Sequence, residues 1–276
     1  MAYQPAGLRS PRVRAARQLA KRALRQRARA FLVEGPQAVG AAIAADAPLT
    51  ELFVTGDGSA RWSSLIEVAR ERGAVVHLVN GGVMTSLAQT VTPQGLLGVC
   101  DFVDVPLAAL TAARPRLVVL LAQVRDPGNA GTVLRTADAA GAQGVVFSTA
   151  SVDPYNGKCV RASAGSLFHL PVVTGISAAE AAAGLRAAGL RILAADGRGR
   201  RHLDELAATG ELRAPAAWLF GNEAWGLPDD LLALADETVA VPIYGRAESL
   251  NLAAAAAVCL YGSAAAQRRG GGHTRG

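Results

Sequence analysis

No apolar run in this chain approaches the ~20 residues that a membrane-spanning helix needs. The longest, Leu250 to Tyr261, is Ala-rich and about a dozen residues long, which suits a buried helix in a soluble protein. Cysteine is scarce: Cys100, Cys159 and Cys259 are odd in number, widely spaced and without a CxxC pair. That argues against a disulfide framework and a zinc site, and fits reduced thiols in a cytoplasm. The GxGxxG and Walker A fingerprints are both absent, so ordinary nucleotide-fold motifs do not explain the glycine turns described below. Acidic residues are missing from positions 1–30, which hold nine Arg or Lys, and from positions 268–276, which hold three more. Between them lie 16 basic and 22 acidic residues, so the net charge of +6 belongs to the ends of the chain. Such a footprint attracts polyanions through phosphate contacts and counterion release. Lysine is nearly lacking: only Lys21 and Lys158 stand against 26 arginines. Arginine suits bidentate phosphate recognition, although a GC-rich genome produces the same bias.

The basic N-terminal segment reads as a helix. Ser10 is placed to cap it and Pro11 fits its first turn. Val13, Leu19 and Leu24 space apolar contacts among the arginines, of which Arg12, Arg17, Arg22, Arg25 and Arg29 are the candidate nucleic-acid contacts. An ordinary solvated helix and an organelle transit peptide are the alternatives. The direct run into strand-like Phe31-Leu32-Val33-Glu34-Gly35 weighs against the latter. Residues 31 to about 100 read as a small α/β unit, with strands at Phe31–Val33, Leu52–Val54, Val75–Val79 and Gly95–Val99 and helices at 38–45 and 62–72. His77 stands alone there and reads as structural. Residues 101–115, with Pro106 and Pro115, read as a linker.

From Leu117 onward, apolar runs of strand length (117–122, 144–147, 190–194, 216–220 and 238–241) alternate with helical stretches at 131–140, 178–188 and 250–262. That pattern predicts a parallel sheet covered on both faces. Three of its strand-to-helix turns carry polar groups: Asp126-Pro127-Gly128-Asn129-Ala130-Gly131 with Arg135, Gly221-Asn222-Glu223, and Ser249-Leu250-Asn251. Taken singly, Asn129 and Ser249 read as helix caps and Gly221 as a turn glycine. The carboxyl ends of parallel strands are where an α/β sheet presents ligand-binding groups, so together the three turns predict one composite site.

These segments, with Arg161-Ala162-Ser163-Ala164-Gly165-Ser166 and His169-Leu170-Pro171-Val172, resemble the motifs of the SpoU branch of SPOUT RNA methyltransferases. The N-terminal part resembles the L30e-like substrate-binding domain that precedes many members. The resemblance implies an RNA-binding domain over 1–105 and a methyltransferase domain over 116–267, the latter an α/β domain with a trefoil knot. It implies S-adenosylmethionine as cofactor, a homodimer, and no metal or membrane partner. By position, Gly221, Val241, Ile243 and Leu250 would line the cofactor pocket, while Asn129, Arg135, Glu223, Ser249 and Asn251 match catalytic and substrate positions. The implied reaction is methyl transfer to a ribose 2′-hydroxyl of RNA, with 23S ribosomal RNA favoured. A tRNA substrate and a non-catalytic RNA-binding role are the alternatives. A guanidinium stays protonated, so Arg135 is expected to grip phosphate and stabilise developing alkoxide charge rather than act as a base.

Overall fold

The computed structural model describes residues 5–270, so residues 1–4 and 271–276, including Arg275 of the basic tail, lie outside the described residues. The chain forms two compact units, one from the chain up to Val103 plus Asp153–His169, the other from Asp104–Val152 and Leu170 onward.

In the first unit, β1 (Ala30–Glu34), β2 (Leu49–Val54), β3 (Val75–Leu78) and β4 (Leu96–Asp101) form a sheet of order β1-β4-β2-β3. Only the β2–β3 pair is parallel. The basic segment is two helices, Pro11–Gln18 and Arg22–Ala28, rather than one. Ser10 sits at the first N-cap without making a side-chain cap bond, contrary to the expectation. Val13, Ala16 and Leu19 pack into the core with Phe53, Met84 and Leu97, because their spacing puts them on one helical face. Arg12, Arg14 and Arg17 are left exposed on the other.

Arg25 departs from its expected role in RNA contact. It is 2% exposed, and its Nε and Nη2 donate to Asp153 Oδ2 at 3.0 and 2.8 Å. Its Nη1 donates to the carbonyls of Leu19 and Ala20 at 2.8 and 2.9 Å. A guanidinium so enclosed is a structural rivet, and a phosphate cannot reach it. The same inserted segment places Tyr155 against Phe102 and Phe31, with ring centroids 3.8 and 4.7 Å apart.

The second unit is a seven-stranded, wholly parallel sheet of order β7-β6-β5-β10-β8-β11-β9. Its strands are β5 (Leu117–Leu121), β6 (Val145–Ser148), β7 (Val172–Ile176), β8 (Arg191–Ala195), β9 (Arg201–His202), β10 (Ala216–Phe220) and β11 (Glu237–Ala240). Val118, Leu120, Ala217 and Leu219 share a core with the helix Ala178–Ala187 on one face. The alternate residue Trp218 points to the other face, where its Nε1 donates to Ser263 of the helix Leu252–Gly270 at 2.9 Å. Strands β7 and β9 were not foreseen: β7 is an edge strand whose apolar run is interrupted by Thr174-Gly175, and β9 has two residues. The supposed linker contains a helix, Leu107–Ala112, whose Leu107 and Leu110 join this core. The last helix starts at Leu252, not 250, and is only half buried; Val258 and Tyr261 are exposed.

Candidate functional site

Beyond β5 the chain passes through Gln123, at a left-handed φ of 58°, and enters the helix Pro127–Ala140. Asp126 caps that helix, its Oδ1 accepting the N–H groups of Gly128 and of Asn129, the latter at 3.0 Å. Asn129 is therefore not the cap. Pro127 fills the first helical position and Asn129 falls within the first turn, which leaves its amide for other partners. Its Nδ2 donates to Glu223 Oε1 at 3.3 Å, and its Oδ1 accepts from Asn251 Nδ2 at 3.2 Å.

After β10, residues 222–226 fold into a tight hairpin closed by reciprocal backbone bonds between Asn222 and Gly226 at 2.9 and 3.0 Å. Any Cβ on Gly221 would lie 2.5 Å from the Gly226 carbonyl oxygen and 2.7 Å from Leu227, so only glycine fits beneath this hairpin. Asn222, the middle residue of the second polar turn, holds the hairpin in place. It is 6% exposed, donates to the Gln123 carbonyl at 3.0 Å and accepts the Ala224 N–H at 2.8 Å. Glu223 then meets the first turn: its carboxylate accepts the N–H groups of Arg125 and Asp126 at 3.2 and 3.1 Å as well as the Asn129 amide.

The third turn closes the arrangement. Asn251, rather than Ser249, caps the last helix, accepting the Ala253 N–H at 2.9 Å while reaching Asn129. Three turns far apart in sequence are thus joined by an Asn251–Asn129–Glu223 chain of hydrogen bonds. Beside it lies a cleft of about 230 Å³, lined among others by Gly221, Glu223, Val241, Ile243, Ser249 and Leu250. Ile243 and Leu250 are each 38% exposed there, apolar surface left for a ligand to cover. No Lys or Arg lines the cleft, whereas Asp196, Glu223 and Glu248 do. The glycine cradle, open backbone, apolar walls and acidic rim fit S-adenosylmethionine, which pairs a flat aromatic base with a cationic sulfonium.

Asp196 was missed, although Asp196-Gly197 follows an apolar strand just as the three chosen turns do. It accepts Arg198 N and Nε, each at 2.9 Å, and the Leu227 N–H at 3.3 Å, tying the end of β8 to the hairpin. Burial opposes its ionisation, but the bonds from Arg198 and Leu227 prevail and hold it below the ordinary carboxylate range.

Arg135 lies six residues beyond Asn129 on the same helix, about 9 Å along its axis. It is exposed, and its guanidinium has no hydrogen-bonding or ion-pair partner among the described residues. Of the N-terminal candidates, Arg12 is exposed with a 3.3 Å contact to Glu51, Arg17 and Arg22 are exposed, and Arg29 lies 4.6 Å over the Phe102 ring. Among the described residues, no group of three or more His, Cys, Asp or Glu is placed to hold a metal ion.

The sequence pattern of the SpoU rRNA methylase family matches residues 116–261, and that of the MRM3-like substrate binding domain matches residues 10–98. The chain is 32% identical to the 23S rRNA (guanosine(2553)-2′-O)-methyltransferase RlmP of Bacillus subtilis, over 86% of this chain and 89% of that protein. It is also 32% identical to the 23S rRNA (uridine(2479)-2′-O)-methyltransferase of Streptomyces viridochromogenes, over 88% and 85% of the two chains. The crystal structure of an AdoMet-bound rRNA methyltransferase from Sinorhizobium meliloti superposes with a TM-score of 0.80 at 31% identity, covering 94% of this chain and 95% of that one. With a match spanning more than half its length, and the three turns bonded to one another beside the cleft, the chain belongs to the SpoU rRNA methylase family.

Proposed function

We propose that this S-adenosylmethionine-dependent RNA ribose 2′-O-methyltransferase acts on 23S ribosomal RNA, and that it does so as a cytoplasmic homodimer with the trefoil threading that its family implies. The observation carrying the substrate is the combination of a match to a substrate-binding domain over 10–98 with relatives named for 23S rRNA on both of its units. Residues 1–105 would bind RNA, through Arg12, Arg17, Arg22 and Arg29, and residues 116–267 would carry the chemistry. The dimer is favoured by the last helix, where Ala254, Val258, Tyr261 and Ala265 form an exposed apolar stripe. No helix among the described residues is long and apolar enough to cross a membrane.

Gly221, Val241, Ile243 and Leu250 would hold the cofactor, largely through backbone and apolar contact. When bound, S-adenosylmethionine supplies an electrophilic methyl group on a sulfonium. The protein's task is then to bring a ribose 2′-oxygen into line and to help its proton leave, and positioning supplies much of such a rate. Arg135 grips the target phosphate and stabilises charge developing on the 2′-oxygen. Glu223, already accepting three N–H groups, acts as a positioning residue that holds Asn129 and the 125–126 backbone still. Ser249, exposed in the cleft wall, is left as a side chain able to pass the proton on, with the substrate phosphate as the other route.

The test is transfer of labelled methyl from S-adenosylmethionine to total rRNA and total tRNA by wild type and Arg135→Ala. Label in 23S rRNA that protects the modified linkage from alkali and collapses in the variant is the expected result. Label confined to tRNA would overturn the substrate while keeping the chemistry.

A further inference from the structure

Trp225 is the large side chain at the tip of the 222–226 hairpin, and it is 59% exposed. Nothing about the fold requires an aromatic there. The hairpin is held by the Asn222–Gly226 bonds and by the Asn222 side chain, none of which involves the indole. Its neighbours Ala224 and Gly226 line the cofactor cleft, whereas the Trp225 indole does not. An exposed indole on a rigid tip loses little conformational freedom when a ligand covers it.

A second group is fixed to the same hairpin. The backbone N–H of Arg125 donates to Glu223 Oε2 at 3.2 Å, placing Arg125 beside the tip that carries Trp225. The Arg125 side chain is exposed and, like that of Arg135, has no acid partner among the described residues. Single-stranded RNA is commonly gripped by an aromatic face that stacks on a base and a guanidinium that takes the adjoining phosphate. We propose that Trp225 and Arg125 form a clamp for a nucleotide flanking the methylated one, with its unstacked base on the indole and its phosphate on the guanidinium. This rests on the reading of the site as an RNA methyltransferase centre. It assigns the hairpin a second task, in which one face of the loop shapes the cofactor cleft while its tip orients the RNA strand.

The test compares Trp225→Ala, Trp225→Phe and Arg125→Ala with wild type in methyl transfer to 23S rRNA, alongside S-adenosylmethionine affinity and oligomeric state. Losing one stacked base should raise KM for RNA about 5- to 150-fold in Trp225→Ala. Phenylalanine should restore most of that loss, and cofactor affinity should not change. Arg125→Ala should lower the salt slope of RNA binding by about one. A reading that needs no turnover is the intrinsic fluorescence on titration with a single-stranded oligoribonucleotide. Measured in a Trp62→Phe background, quenching should vanish in Trp225→Phe, since Trp218, the remaining tryptophan, is wholly buried. An unchanged KM, retained quenching, weakened cofactor binding or dissociation of the dimer in Trp225→Ala would each overturn the clamp, the last by making Trp225 an interface residue. A wild type that is quenched by RNA but methylates no rRNA would instead sink the 23S substrate.

Discussion

Arg25 and Arg135 are the same residue type in opposite circumstances. Arg25, in the first unit, is 2% exposed and bonded at Nε and both Nη to Asp153 and two carbonyls. Arg135, in the second, is exposed and has no partner among the described residues. A buried charge must be fully satisfied from within, because desolvation of an isolated ion costs far more than folding can offset. An unpaired one at the surface keeps its hydration until a ligand phosphate replaces it. The first unit therefore uses a guanidinium to hold an inserted segment, and the second keeps one available for a polyanion. The second unit's site contrasts in another way: its internal links, Asn251–Asn129–Glu223, run through neutral amides to one carboxylate. Amides position side chains without adding the positive charge that would repel a sulfonium.

The sharpest way to break this comparison is to remove one half of the buried pair. Asp153→Ala should destabilise the protein by about 3–5 kcal/mol, because it strands the Arg25 charge. A combined Arg25→Met, Asp153→Leu replacement should recover most of the loss. Urea unfolding checks both, and a single variant as stable as wild type would show that the pair does not pin residues 153–169. At Arg135 the effect should fall on activity instead. Arg135→Ala should lower kcat by about 10²–10³-fold with cofactor affinity and unfolding midpoint unchanged, the size expected for losing one preorganised charge-stabilising group. Near-full turnover with lysine at 135 would exclude a role specific to the guanidinium fork.

Glu223→Gln separates positioning from proton transfer. Glutamine keeps an acceptor for some of the three N–H groups, so activity should fall only about tenfold, in proportion to a lost charge-assisted bond. The pH profile should keep its shape. Complete loss of turnover with folding and cofactor binding intact would instead make the carboxylate the proton acceptor.

The smallest effect concerns Glu211. Hydrogen bonds from Arg201 and Thr209 hold its carboxyl down to about 2 from an ordinary 4.5. A folded-state value below the unfolded one means that its stabilisation is complete above pH about 4.5 and fades as pH falls toward 2. The difference in melting temperature between wild type and Glu211→Gln should therefore be constant near neutrality and shrink over that window.

Much of the fold could be read from periodicity. The four strands of the first unit, and five of the seven in the second, were visible as apolar runs; the two missed were an edge strand interrupted by Thr174-Gly175 and a two-residue strand, too broken or too short to leave a pattern. Helix starts were less legible. Asn129 and Ser249 are good capping residues, yet Asp126 and Asn251 take those places, because Pro127 sets the first helical turn early and the exposed 242–251 loop delays the last. Propensity ranks possible caps; it does not choose between neighbours. Asp196 escaped notice, and Asn222 was given no role within its turn, because their work is to hold one loop against another, and that requires knowing which loops meet.

The sequence by itself determined the parallel sheet, the three polar turns at strand ends and, through their resemblance, the family. Those follow from local chemistry: apolar runs become strands, glycine permits close approach, and amides and acids gather where backbone groups need partners. Only the tertiary structure decided which arginines are available. Arg25 sits in an Arg-rich, acid-free segment and looked like its neighbours, but Asp153, 128 residues away, faces it. Whether a charge is buried with a counterion or left for phosphate depends on what folds against it, and that information is distributed over the whole chain.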